Sequence, residues 1–159
     1  MSCVTWCDYE GTPPPKTDPD AVLCRWSVNM ATFSNWFVNE LLGTLSGEAP
    51  VLPAQLYVAV GITASTKTAP GTELTSAGYA RVPISFSRVS DIQRWNPTDV
   101  TFPDATEEWE NIASLQIWDD ANPGQGNYYA YGNITTPFNV PVNQTIKLPA
   151  NTVIAGIGT

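Results

Sequence analysis

"PAQLYVAVGI", residues 53–62, alternates like a strand: Leu56, Val58 and Val60 fall on one face, Tyr57 and Ala59 on the other. Proline precedes the run and Gly61 closes it, as at the ends of a β-element. Downstream the same signal recurs in short pieces: "YARVPISF" (79–86), "DVTFP" (99–103), "ASLQIWD" (113–119), "YYAYGNIT" (128–135), "FNVPV" (138–142), "QTIKLP" (144–149) and "TVIAGI" (152–157). Proline, glycine and asparagine punctuate them, and no helical pattern lies between them. The chain is therefore expected to be mainly β, an antiparallel β-sandwich of jelly-roll-like form rather than a set of βαβ units. Pro83 lacks a backbone donor, so its strand is expected at an edge or a bulge.

Upstream the period changes. In "ATFSNWFVNELLGTLSG" (31–47), Phe33, Trp36, Phe37, Leu41 and Leu45 recur at helical intervals. Thr32 or Ser34 can cap the start and Gly43 or Gly47 the end. One short amphipathic helix is expected over about residues 32–45, its stripe turned to the core. Before it, "EGTPPPKTDPD" (10–20) disfavours both helix and ladder, because proline fixes φ and removes a donor. Residues 1–28 read as an extended Pro-rich N-terminal arm and 29–159 as a single β-sandwich domain. Trp6, Tyr9 and Trp26 would give the arm a docking surface; a tail free in solvent is the alternative.

The totals narrow the function. A chain of 159 residues is long enough for one core, and 43% hydrophobic with 14% charged residues suits a folded domain. Fifteen acidic against seven basic residues leave a net charge of −8, which opposes binding to nucleic acid or to an anionic membrane surface. "MSCVTWCDYEG" (1–11) has neither the basic nor the apolar region of an export signal, and no apolar run approaches a membrane span. Cys3, Cys7 and Cys24 all lie in the arm; free thiols, an arm or intersubunit disulfide, and a three-thiolate metal site remain open readings.

The sequence holds no histidine, which removes Ser-His and Cys-His nucleophile systems and most zinc hydrolase sites. Glu107, Glu108 and Glu110 cluster, and Asp119 adjoins Asp120, so a carboxylate couple of glycosidase type is formally available. Solvated surface is the simpler reading. Asp119, Asp120, Asn122 and Asn127 could offer oxygens to calcium, yet their spacing matches no ordered calcium loop, and a strand-connecting turn is favoured. No catalytic, cofactor-binding or metal residue is assigned. Trp118, Tyr128 and Tyr131, with Tyr129 beside them, present rings that could stack on sugars.

"GTELTSAGYARVPISF" (71–86) is the best-marked loop and strand. Gly71 and Gly78 would free the backbone at the ends of a polar loop. Ala80, Val82, Ile84 and Phe86 should then share one face and Tyr79, Arg81, Pro83 and Ser85 the other, which makes Arg81 a candidate for a salt bridge or an interface contact. Tyr79, Arg81 and Tyr129, with Trp6, Tyr9 and Trp26, are the residues expected to meet another subunit.

In sequence, "FSNWFVNELLG", "LYVAV", "GTELTSAGYARVPISF", "VTFPDATEEWENIASLQIWD", "NYYAYGNITTP" and "NQTIKLPANTVIAGI" form an ordered set of blocks over about residues 33–157. This order resembles that of small tail-fibre-like virion proteins of tailed bacteriophages. The resemblance implies a non-enzymatic β-domain built into the particle without a cofactor. Its partners would be copies of itself, as a trimer or hexamer, and other virion proteins at a tail, neck, baseplate or fibre attachment site. A head-decoration protein is the alternative, and a carbohydrate-binding module that meets host surface glycan is the second. The Cys- and Pro-bearing arm departs from the shorter start of the family.

Overall fold

The computed structural model describes residues 28–30, 32–91 and 93–156. The expectations for the arm, for Trp6, Tyr9 and Trp26 and for the three cysteines lie outside the described residues.

The chain runs β1 (Val28–Met30), β2 (Thr32–Phe33), α1 (Asn35–Gly43) with a 3-10 turn at Thr44–Ser46, β3 (Leu56–Gly61), β4 (Val82–Ile84), β5 (Ser87–Arg88), β6 (Gln93–Trp95), β7 (Val100–Thr101), β8 (Trp109–Trp118), β9 (Tyr128–Val140), β10 (Lys147–Leu148) and β11 (Val153–Gly156). Five strands form one sheet in the order β2-β9-β8-β3-β4, four form another in the order β1-β11-β6-β5, and β10 pairs with β7. All pairings are antiparallel except that of β1 with β11. The mainly β, sandwich-like expectation with one short helix holds. Among the described residues, no helix is long and apolar enough to cross a membrane.

Register explains the core. β3 opposes β8 with Val58 facing Ile117 and Val60 facing Leu115, which puts four apolar side chains on one side of the sheet. Val100, Leu148 and Val153 from the other strand pairs close over them, together with Phe102 and Ile146. Pro83 lies in β4, the edge strand beside β3, where its missing donor breaks no ladder.

Three local expectations change. "YARVPISF" is not one strand: β4 joins the five-stranded sheet and β5 the four-stranded one, so the chain switches sheets between Ile84 and Ser87. Ala80 is consequently exposed and Tyr79 packs on the core, the reverse of simple alternation. "YYAYGNIT" and "FNVPV" instead merge into one strand, β9, whose register against β8 jumps from Ile112↔Phe138 to Ser114↔Asn133 through a bulge. β6 carries no apolar alternation and was not legible as a strand.

The outer face of the five-stranded sheet is covered as well. Ser114 and Gln116 of β8 are wholly buried there, beneath the loop that follows β3. Gln116 Nε2 donates to the Gly71 carbonyl at 3.0 Å, Ser114 Oγ to the Thr63 carbonyl at 2.8 Å, and the Gly71 N–H to Ser65 Oγ at 2.9 Å. Gly71 therefore serves close packing rather than backbone freedom: a Cβ there would collide with the Thr63 carbonyl oxygen. Gly78 does take a left-handed φ of 80°, as its place in the turn suggests.

Candidate interaction surface

Helix α1 begins where a cap was expected. Ser34 is its N-cap: Oγ accepts from the Phe37 N–H at 3.1 Å and donates to the Tyr128 carbonyl, tying the first turn to β9. Phe37 and Trp36 each lie 5.0 Å, ring to ring, from Tyr129, and Phe33 lies 5.1 Å from Phe37. Burial, with lesser contributions from the Asp119 and Glu40 carboxylates, pushes the Tyr129 phenol up to about 12. Tyr129 thus anchors the helix within the chain.

Past the first turn the stripe leaves the core. No residue of α1 is buried. Leu41, expected inside, is exposed, and Leu45 is 84% exposed. The physical reason is the short contact: β9 meets the helix only around Tyr129, and the 3-10 turn carries Leu45 away before Gly47, at φ 83°, ends it. The segment that follows runs back beside the helix, with the Val51 N–H donating to Glu40 Oε2 at 3.3 Å. Val51 and Leu52 are also turned to solvent, at 63% and 75%, as are Val38 and Leu42 of the helix. Val38, Leu42, Val51 and Leu52 were not among the residues singled out from sequence. The adjacent apolar pairs "LL" (41–42) and "VL" (51–52) stand in the sequence, the second of them beyond the helix in an irregular segment.

The opposite treatment is given to charge. Arg81 is buried, its Nε 2.8 Å from Glu73 Oε1 and Nη2 2.7 Å from Glu73 Oε2, a bidentate pair. Its Nη1 donates to the carbonyls of Asp120 at 2.7 Å and Gln125 at 3.0 Å, and the guanidinium lies 4.3 Å from the Trp118 ring centre. Tyr79 donates its hydroxyl to Glu73 Oε1 at 2.9 Å and accepts from the Val60 N–H at 3.0 Å. Burial, and then the Glu73 charge, raise the Tyr79 phenol well above its ordinary range. Tyr79 and Arg81, both expected at an interface, have their polar atoms satisfied inside the fold. Together they join the Gly71–Phe86 stretch, β3 and the 119–127 loop into one unit.

The remaining candidates are likewise committed internally. Trp118 and Tyr128 are buried, and Arg81 covers one face of the Trp118 ring, so the surface left for a sugar is mostly that of Tyr131. Asp119 accepts from the N–H and side-chain amide of Asn127, and Asp120 from both of the same groups of Asn122. Those Asn122 bonds hold the Asp120 carboxyl below the usual carboxylate range. Glu107 accepts from the Ala77 N–H at 2.6 Å and Glu108 from Asn139 Nδ2 at 2.9 Å. Among the described residues, no group of three or more acidic or cysteine side chains is placed to hold a metal ion.

No curated protein matches the chain. A family model does: the one described as Podophage GP4 fiber I protein gp80 aligns with residues 32–156, which is most of the chain and takes in the helix, strands β2 to β11 and the Arg81 unit. The chain belongs to this phage fibre protein family.

Proposed function

We propose that the chain is a non-enzymatic structural protein of a tailed-phage particle, assembled as a symmetric oligomer at a fibre or tail attachment site. The observation that carries the assembly reading is the uncovered helix. A chain that satisfies buried polar groups as thoroughly as Arg81 and Gln116 nevertheless leaves Leu42, Leu45, Val51 and Leu52 in water. Such a surface fits a subunit that is completed by a neighbour. Membership of a phage fibre family supplies the particle. The carboxylates best suited by sequence to acid–base work instead hold turns, which supports a structural rather than a catalytic role.

The test is gold-labelled antibody against this chain on purified particles, read by electron microscopy beside an unlabelled control. Label at the tail or its fibres is expected. Label scattered over the head would replace the attachment-site reading with a decoration role, and particles lacking the protein would overturn the virion assignment.

A further inference from the structure

The first elements of the fold stand apart from its core. Among the described residues, every buried hydrophobic side chain lies between Val58 and Val153. β2 and α1 add only the half-buried rings of Phe33, Trp36 and Phe37, packed against that core from outside. β2 is an edge strand of the five-stranded sheet and β1 an edge strand of the four-stranded one, so both can leave without splitting the interior of a sheet. The contacts that hold them are nonetheless specific. The Ser34 N–H donates to the Tyr129 carbonyl at 2.9 Å, the Asn35 N–H to the Lys67 carbonyl at 2.8 Å and the Tyr129 hydroxyl to the Val51 carbonyl at 3.5 Å, beside the ring contacts and the Thr32↔Tyr131 and Phe33↔Ala130 register.

One short connection joins this unit to the body. Val51 is tied back to the helix through Glu40, and Gln55 Nε2 donates forward to the Ile84 carbonyl at 2.9 Å. Between them Leu52, Pro53 and Ala54 are hydrogen-bonded to neither side. Pro50 and Pro53 fix φ and bias Ala49 and Leu52 to extended backbone, so the connection favours running on over folding back. A second copy presents the same receiving surface on β9 and β11, and an exchanged unit makes there the contacts it makes in its own chain. The balance between the closed and exchanged forms is then set by the connection and by concentration, with no new surface fit required.

We infer that residues 28–51 are exchanged between copies of this chain, β2 and α1 of one copy docking on β9 of the next about a connection at residues 52–54. This rests on the oligomeric reading above and names the element that links the copies.

The experiment uses the full-length chain with Cys3, Cys7 and Cys24 replaced by serine, and reads the Thr32 and Tyr131 pair that faces across β2 and β9. One batch carries Thr32→Cys and the other Tyr131→Cys. The two are unfolded, mixed, refolded together and oxidised, and two-chain product is read by denaturing electrophoresis without reductant. Because a disulfide needs its Cα atoms within about 7 Å, the mixture is expected to give at least about tenfold more two-chain product than either batch alone. A mixture that gives no more than the single batches overturns the exchange. Should circular dichroism show that either substitution costs the fold, Asn29→Cys and Ile154→Cys, facing across β1 and β11, take their place with the same outcomes. Sedimentation velocity of the parent separates the two readings. Association without mixed product defeats the exchange and leaves the symmetric oligomer standing, whereas a parent that is monomeric at every concentration defeats both.

Discussion

Helix α1 and the Arg81 unit treat their side chains in opposite ways. The first leaves leucines in water, and the second buries a guanidinium with nearly every donor satisfied. A buried ion pair is not by itself a source of stability, because both charges must be desolvated. What it does here is fix geometry: a bidentate fork, two carbonyls and a ring admit one arrangement of three segments. The helix has no such closure. Its first turn is specified by Ser34 and Tyr129, and its last turn is exposed.

The contrast is tested hardest at its closed end. Arg81→Met would leave Glu73, a partly exposed carboxylate, without its counter-charge and remove four hydrogen bonds, and a loss of about 3 kcal/mol is expected by chemical denaturation. Retention of parental stability would show that the unit does not hold the three segments together. At the junction of the two regions, Ser34→Ala removes the N-cap and leaves the Tyr128 carbonyl without the Ser34 donor; a loss of about 1–2 kcal/mol and a weaker helical signal are expected.

Alkaline titration probes the anchor. The Tyr129 pKa in the folded chain, about 12, lies above its reference value of 10.0, so the neutral phenol is favoured by folding. That contribution is complete below pH 10 and is lost as pH rises towards 12. Phenolate absorbance should accordingly appear late for Tyr129, and later still for Tyr79 and Tyr128, which burial shifts further in the same direction. A single ordinary titration of all six tyrosines in a still-folded chain would contradict the packing of Tyr129 against Trp36 and Phe37.

The smallest effect is expected at the open end. Leu45→Gln should change the stability of the isolated subunit by no more than about 0.5 kcal/mol, since that side chain touches solvent over most of its surface. A large loss measured under dissociating conditions would mean that Leu45 is covered within its own chain, and the contrast between the two regions would disappear.

Some of these features were open to inspection in the sequence. Period-two alternation identified β3, the cap at Ser34 and the glycine at 47 bounded the helix and its 3-10 extension, and Pro83 marked an edge strand. Each of these is local, set by backbone sterics or by a side chain bonding a neighbour a few residues away. The Arg81 partners were not legible, because Asp120 and Gln125 lie 39 and 44 residues away in sequence and contribute carbonyls that any residue could offer. The aromatic run at 128–131 promised a sugar surface, but identical rings serve a core, and only the fold put Tyr128 and Tyr129 inside it.

Local pattern and composition were enough to establish that the chain is mainly β with one capped helix, and that its acidic, histidine-free make-up disfavours nucleic acid and histidine-based catalysis. It took the assembled fold to show that Arg81 points in and Leu45 points out. Periodicity states which residues share a face; whether that face meets a sheet or water depends on where distant segments pack and how far their cover extends.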